Sequence, residues 1–145
     1  MNKFARILVP VDGSQGSDRA LDVAVAMADA CGASLDLLYV SYFGSDTDGT
    51  EDMDSWLPDI VVAPAGSESK AVLKRARDRV PRGMEARLHH RIGKPAEQIV
   101  EFSRENEEET IVIGGSSQDA VHRFFLGSIS QEVMESAPGA VIVVK

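Results

Sequence analysis

The sequence predicts an α/β domain: a doubly wound, five-stranded parallel sheet with helices on both faces. Three observations carry this reading. Short apolar runs alternate with stretches of helical period along the chain, the pattern of βαβ units joined by right-handed crossovers. Two of the runs, Ile111-Val112-Ile113 and Val141-Ile142-Val143-Val144, are continuously apolar, as parallel strands covered on both faces are. The chain has 145 residues, 43% of them hydrophobic, which suffices for one domain with a buried core. Residues 1–145 are therefore read as a single domain.

The elements follow in order. Ile7-Leu8-Val9-Pro10-Val11 is a strand stopped by the turn cluster Asp12-Gly13-Ser14. From Ser17 a helix carries Leu21, Ala24, Val25 and Ala28 on one face and stops at Gly32. Leu35 to Val40 is the second strand. Residues 41–66 are rich in Asp, Gly, Ser and Pro without sustained period and are read as a long irregular loop. A second helix spans Ser67 to Val80, with Val72, Leu73, Ala76 and Val80 on one face, before Pro81-Arg82-Gly83. From Met84 to Ile92 the sequence alternates strictly: Met84, Ala86, Leu88, His90 and Ile92 share one face, and Glu85, Arg87, His89 and Arg91 the other. This is the pattern of a half-wet edge strand. Pro95 fits the first turn of a helix bearing Ile99, Val100 and Phe102. After the fourth strand, Gly127-Ser128 is expected to open the last helix, which Pro138-Gly139 ends.

Composition narrows the function. With 15 Lys and Arg against 23 Asp and Glu the net charge is −8, which disfavours nucleic acid and anionic membranes as partners. No apolar stretch approaches the ~20 residues of a membrane span, so no membrane insertion and a cytoplasmic location are expected. Cys31 is the single cysteine, excluding an internal disulfide; its alanine-rich setting predicts a buried structural thiol.

In a doubly wound sheet small ligands bind where the strand order reverses, beyond the carboxyl ends of the flanking strands. If strand one is central and neighbours strand four, as in the doubly wound order 3-2-1-4-5, that crevice lies between Pro10-Val11-Asp12-Gly13 and the segment from Gly114. There Gly114-Gly115-Ser116-Ser117 is followed, ten residues on, by Gly127-Ser128. Closely spaced Gly and Ser let backbone N–H groups approach an anion, and a helix N-terminus at Ser128 and Ile129 offers further donors to a phosphate. The same residues also fit a plain strand end and an N-cap.

The blocks Ile7-Leu8-Val9-Pro10-Val11-Asp12-Gly13-Ser14, Gly93-Lys94-Pro95-Ala96-Glu97-Gln98-Ile99-Val100, Ile113-Gly114 and Gly127-Ser128-Ile129-Ser130 resemble, in order and separation, those of the universal stress protein family. Nucleotide-binding members carry a glycine, two residues, a second glycine, nine residues, then glycine with serine or threonine. Gly114, Gly127 and Ser128 match, while Ser117 stands at the second glycine. If that position needs a positive φ, the serine Cβ costs on the order of 1 kcal/mol, although its hydroxyl suits a phosphate. The resemblance implies an adenine nucleotide (ATP, ADP or AMP, with or without Mg²⁺) as a regulatory ligand. It places Asp12 and Val40 near base and ribose, with Pro10 and Val11 as pocket wall. Gly114, Gly115, Ser116, Ser117, Gly127, Ser128 and Ile129 would surround the phosphates, with His122 and Arg123 as secondary donors.

No Walker-type loop and no GxGxxG fingerprint after strand one is present, and no positioned general base is evident, so little or no hydrolysis is expected. His89 and His90 point to opposite faces of a strand and do not chelate one metal. The acidic residues Asp46, Asp48, Glu51, Asp52 and Asp54 lack calcium-loop spacing. The apolar end, Ala140 to Val144, is expected to pair in a homodimer rather than stand as an open edge. The alternative functions are a nucleotide-free interaction module, docking an unidentified protein through the 41–66 loop, and a slow ATPase.

Overall fold

Ile7, Leu8 and Val9 are all fully buried, because both faces of β1 (Arg6–Pro10) are covered; hence the run has no polar alternation. The computed structural model describes residues 5–41, 62–108, 110–115 and 120–145, with side chains for all of these except 62–68 and 120–126. After β1 come α1 (Gln15–Cys31), β2 (Ser34–Ser41), α2 (Val62–Asp78), β3 (Ala86–Ile92), α3 (Pro95–Glu105), β4 (Thr110–Gly114), α4 (Ala120–Ser136) and β5 (Ala140–Val144). The five strands pair in parallel in the order β3-β2-β1-β4-β5, the predicted topology.

Alternation along each strand builds two apolar layers. Ile7, Val9, Leu35, Leu37 and Val112 pack against Ala20, Leu21, Ala24 and Ala28 of α1 and Leu73 and Ala76 of α2. Leu8, Leu38, Ile111 and Ile113 face the other way, onto Ile99, Val100 and Phe102 of α3 and Ile129 and Val133 of α4. Each fully buried Leu or Ile contributes about 2 kcal/mol by this burial. Small residues on α1 bring it close to the sheet. Its ends are fixed locally: the Ser14 side chain accepts from the Ser17 amide, a cap worth ~1 kcal/mol, and Gly32 closes the helix at φ 70°, where a Cβ is unfavourable.

Three expectations are corrected. Helix α2 begins at Val62, so residues 62–66 are helical, and Val80 lies beyond its end, packed against the core; 42–61 lie outside the described residues. Cys31 is exposed, because the buried stripe of α1 ends at Ala28. The apolar face of the edge strand β3 is only partly covered: Ala86 is buried in the core, while Leu88 and Ile92 are exposed at 40% and 42%. Its charged face is engaged as well. Arg87 Nε and His89 Nε2 reach Asp36 at 3.1 and 2.8 Å, while the Arg91 guanidinium lies 5.1 Å over the Phe102 ring. Salt bridges from a buried β2 carboxylate thus do the work expected of a hydrophobic face. Lastly, Gly127 and Ser128 do not open a helix. They lie two turns inside α4, which starts at Ala120.

Candidate functional site

The carboxyl ends of β1 and β4 diverge at the switch point, and a crevice opens there. It is partly open to solvent, and its empty space, counted to include that open part, is about 460 Å³. Pro10, Val11 and Asp12 line it from the end of β1; Leu38 and Val40 from β2; Ile113 and Gly114 from β4. The helices close it with Ser17 of α1, Pro95 and Ile99 of α3 and Ile129 of α4. The lining is chiefly apolar, with the Asp12 carboxylate and the Ser17 hydroxyl as its polar side chains.

Local hydrogen bonding fixes those two groups. Asp12 Oδ1 accepts from the Ser14 amide at 2.9 Å, and Ser17 Oγ accepts from the Asp12 amide at 3.2 Å. The turn needs glycine at Gly13, where φ is 85°. From α2, Arg75 Nη2 donates to the Gly13 carbonyl at 2.9 Å and pairs with Asp18 at 3.0 Å. The carboxylate is therefore held at the crevice mouth with Oδ1 engaged in the turn, and the N-terminus of α1 opens beside it, an end that favours negative charge.

Gly114 is a glycine for steric reasons. A Cβ there would lie 2.7 Å from the Gly16 carbonyl oxygen, so α1 and β4 meet backbone to backbone. A Cβ on Gly115 would lie 2.5 Å from Val143 Cγ1, and the Gly115 amide donates to the Val144 carbonyl at 2.8 Å. Gly115 joins β5 to the sheet instead of offering its N–H to a ligand.

Of the residues the sequence singles out, the crevice brings together Pro10, Val11, Asp12, Val40, Gly114 and Ile129. Gly115, Gly127 and Ser128 are not in its lining, and Ser128, on the body of α4, is exposed. Ser116 and Ser117 lie outside the described residues, as do the side chains of His122 and Arg123. Sequence reasoning missed Ser17, Leu38, Pro95, Ile99 and Ile113. Leu38 was legible, two residues before Val40 on the same strand face. Pro95 and Ile99, four apart at the start of a helix, needed the α3 packing to be found. Among the described residues no group of three His, Cys, Asp or Glu is placed to hold a metal, and no helix is long and apolar enough to cross a membrane.

A parallel doubly wound sheet with an apolar crevice at its switch point, and one carboxylate at the mouth, defines an α/β domain of the doubly wound class. The chain belongs to the universal stress protein family, whose sequence model matches residues 3–145. It is 33% identical to a universal stress protein of Thermus aquaticus, over 98% of this chain and 99% of that one. It is 27% identical to YxiE, a universal stress protein of Bacillus subtilis, over 98% and 99% of the two chains. The universal stress protein UspA from Lactobacillus plantarum superposes with a TM-score of 0.73 at 27% identity, over 98% of each chain. Two further structures share the fold: a universal stress protein in complex with cAMP, with TM-score 0.70, 22% identity and coverage of 99% and 98%, and one from Archaeoglobus fulgidus in complex with dAMP, with TM-score 0.62, 23% identity and full coverage of both chains.

Proposed function

We propose that this chain is a stress-response protein that binds an adenine nucleotide in the switch-point crevice as a regulatory ligand, with little or no hydrolysis. The observation that carries the reading is the lining itself. Flat apolar walls from Val11, Leu38, Val40, Ile99 and Ile113 suit a base, and a fixed carboxylate at the mouth suits ribose hydroxyl or amino donors. The cAMP and dAMP complexes of relatives name the same ligand class.

The committed Gly115 amide and the continuous α4 argue that base and ribose supply most of the affinity. A water-activating role for Asp12 is disfavoured by its bond to the Ser14 amide. The reading covers ATP, ADP and AMP, with Mg²⁺ accompanying the longer phosphates, and a cytoplasmic site of action. Calorimetric titration of stripped protein with AMP, ADP and ATP, with and without Mg²⁺, tests it. Saturable binding is expected, weakened about tenfold or more in Asp12→Ala by loss of a charged hydrogen bond. No heat at millimolar nucleotide would overturn the reading in favour of a nucleotide-free interaction module.

The proposal includes a homodimer paired along β5. This strand ends the sheet with Ala140 exposed and Val141 to Val144 only half-buried, and a long apolar edge without a partner invites association. Sedimentation at micromolar protein is expected to give a dimer, and Ile142→Lys a monomer. A wild-type monomer would refute the assignment.

A further inference from the structure

At the opposite end of the sheet from the crevice, five ionisable side chains converge at the amino-terminal ends of the strands. Asp36 of β2 is fully buried. Its Oδ2 accepts from Arg6 Nη2 at 2.9 Å and Nε at 3.2 Å, and its Oδ1 from Arg87 Nε at 3.1 Å and His89 Nε2 at 2.8 Å. Arg6 Nη1 is used as well, on the Asn106 carbonyl at 2.9 Å.

Glu108, in the turn leading into β4, has a fully buried side chain, and among the described residues neither carboxyl oxygen accepts a hydrogen bond. Arg6 Nε is 3.4 Å from Glu108 Oε2, but its N–H is directed at Asp36. Ser103 Oγ donates to the Glu108 main-chain carbonyl, and Arg104 Nη2 turns away to the Ser136 carbonyl. The Asp36 carboxylate, bonded to the same Arg6 Nε, is its near neighbour, with the Arg87 guanidinium acting from further off.

Ionised Glu108 would balance two guanidinium groups against two carboxylates, so net charge alone does not decide its state. Hydrogen bonding does. A buried carboxylate without a donor forfeits its hydration uncompensated, and here it would also face a second carboxylate. One proton removes both penalties, because a carboxylic acid becomes a donor and ionised Asp36 is an acceptor.

We propose that Glu108 is held as the neutral acid with its proton donated to Asp36, and that this shared proton makes the fold pH-responsive, weakening it as the solution turns alkaline. Burial foremost, then the Asp36 hydrogen bond and charge, push the Glu108 carboxyl from an ordinary 4.5 up to about 8, against the pull of Arg6 and Arg87. The unfolded chain loses this proton near 4.5 and the folded one near 8. Between those values folding takes up a proton, so the folding constant falls about tenfold per pH unit and levels off above the upper one.

Carboxyl carbon-13 NMR of the wild-type protein, with urea unfolding of wild type and Glu108→Gln from about pH 5 to pH 9, tests this. The Glu108 carbon is expected to titrate near neutrality or above. The wild-type folding constant should fall about tenfold relative to the variant between pH 6 and pH 7. A Glu108 carbon that titrates below pH 6, or stability profiles that run parallel, would overturn the proposal. The NMR titration decides it even if the variant does not fold.

Discussion

Gly114→Ala is expected to destabilise the protein by about 2–3 kcal/mol, the cost of overpacking where backbone must yield. The new Cβ would meet the Gly16 carbonyl oxygen at 2.7 Å and its carbon at 2.8 Å, and no rotamer change relieves a clash between a strand and the first turn of a helix. Because that turn carries Ser17 into the crevice, nucleotide affinity should fall with stability. Gly127→Ala makes the contrast. Its Cβ would lie 3.6 Å from the Gly115 carbonyl oxygen, an ordinary contact, and replacing a helix-interior glycine gains up to ~1 kcal/mol. Urea unfolding of both variants reads the two signs; a destabilised Gly127→Ala would show that α4 does not run through this position.

Asp36→Ala is expected to cost about 3 kcal/mol at neutral pH, the lower end for removing one partner from a buried charge network. The lower end applies because Arg6 and Arg87 keep 33% and 44% of their side chains exposed and recover some hydration. Burial alone would raise the Asp36 carboxyl, but hydrogen bonds from Glu108, His89 and Arg6 outweigh it and bring it from 3.8 to about 2. The resulting stabilisation is present above 3.8 and is lost as pH falls through about 2, a loss of roughly 2 kcal/mol. The variant should lack this part of the acid limb. Urea midpoints measured from neutral to strongly acidic pH check both statements, and a variant with the wild-type midpoint at pH 7 would refute them.

How far the sequence reached can be argued from single residues. Ile7 to Val9 and Ile111 to Ile113 declared buried parallel strands because burial on both faces removes alternation, and the switch point followed once strand one was placed next to strand four. Pro10, Val11, Asp12 and Gly114 came with the switch point. What failed was whatever depended on contacts between distant segments. The alternation of β3 was read correctly as an edge, but the engagement of its charged face is decided by Asp36, fifty residues away, whose carboxylate draws Arg87 and His89 inward. Gly115 looked like a phosphate glycine, and its reason is the Val143 side chain. Gly127-Ser128 looked like a helix start because glycine and serine favour caps, whereas the helix runs through them. Glu108, flanked in sequence by other acids, carried no signal of burial.

The place of β1 between β2 and β4 also bears on how the chain reaches its native state. Its pairing with β2 joins Arg6 to Ser34, but on its other side Ile7 pairs with Thr110, a hundred residues later. During synthesis the central strand therefore has one finished edge and one bare one until β4 emerges. Contacts this remote are slow to form, and an unpaired apolar edge is where nascent chains stick to one another. The interval before the last third of the chain is delivered is then the one in which this edge stands open to association.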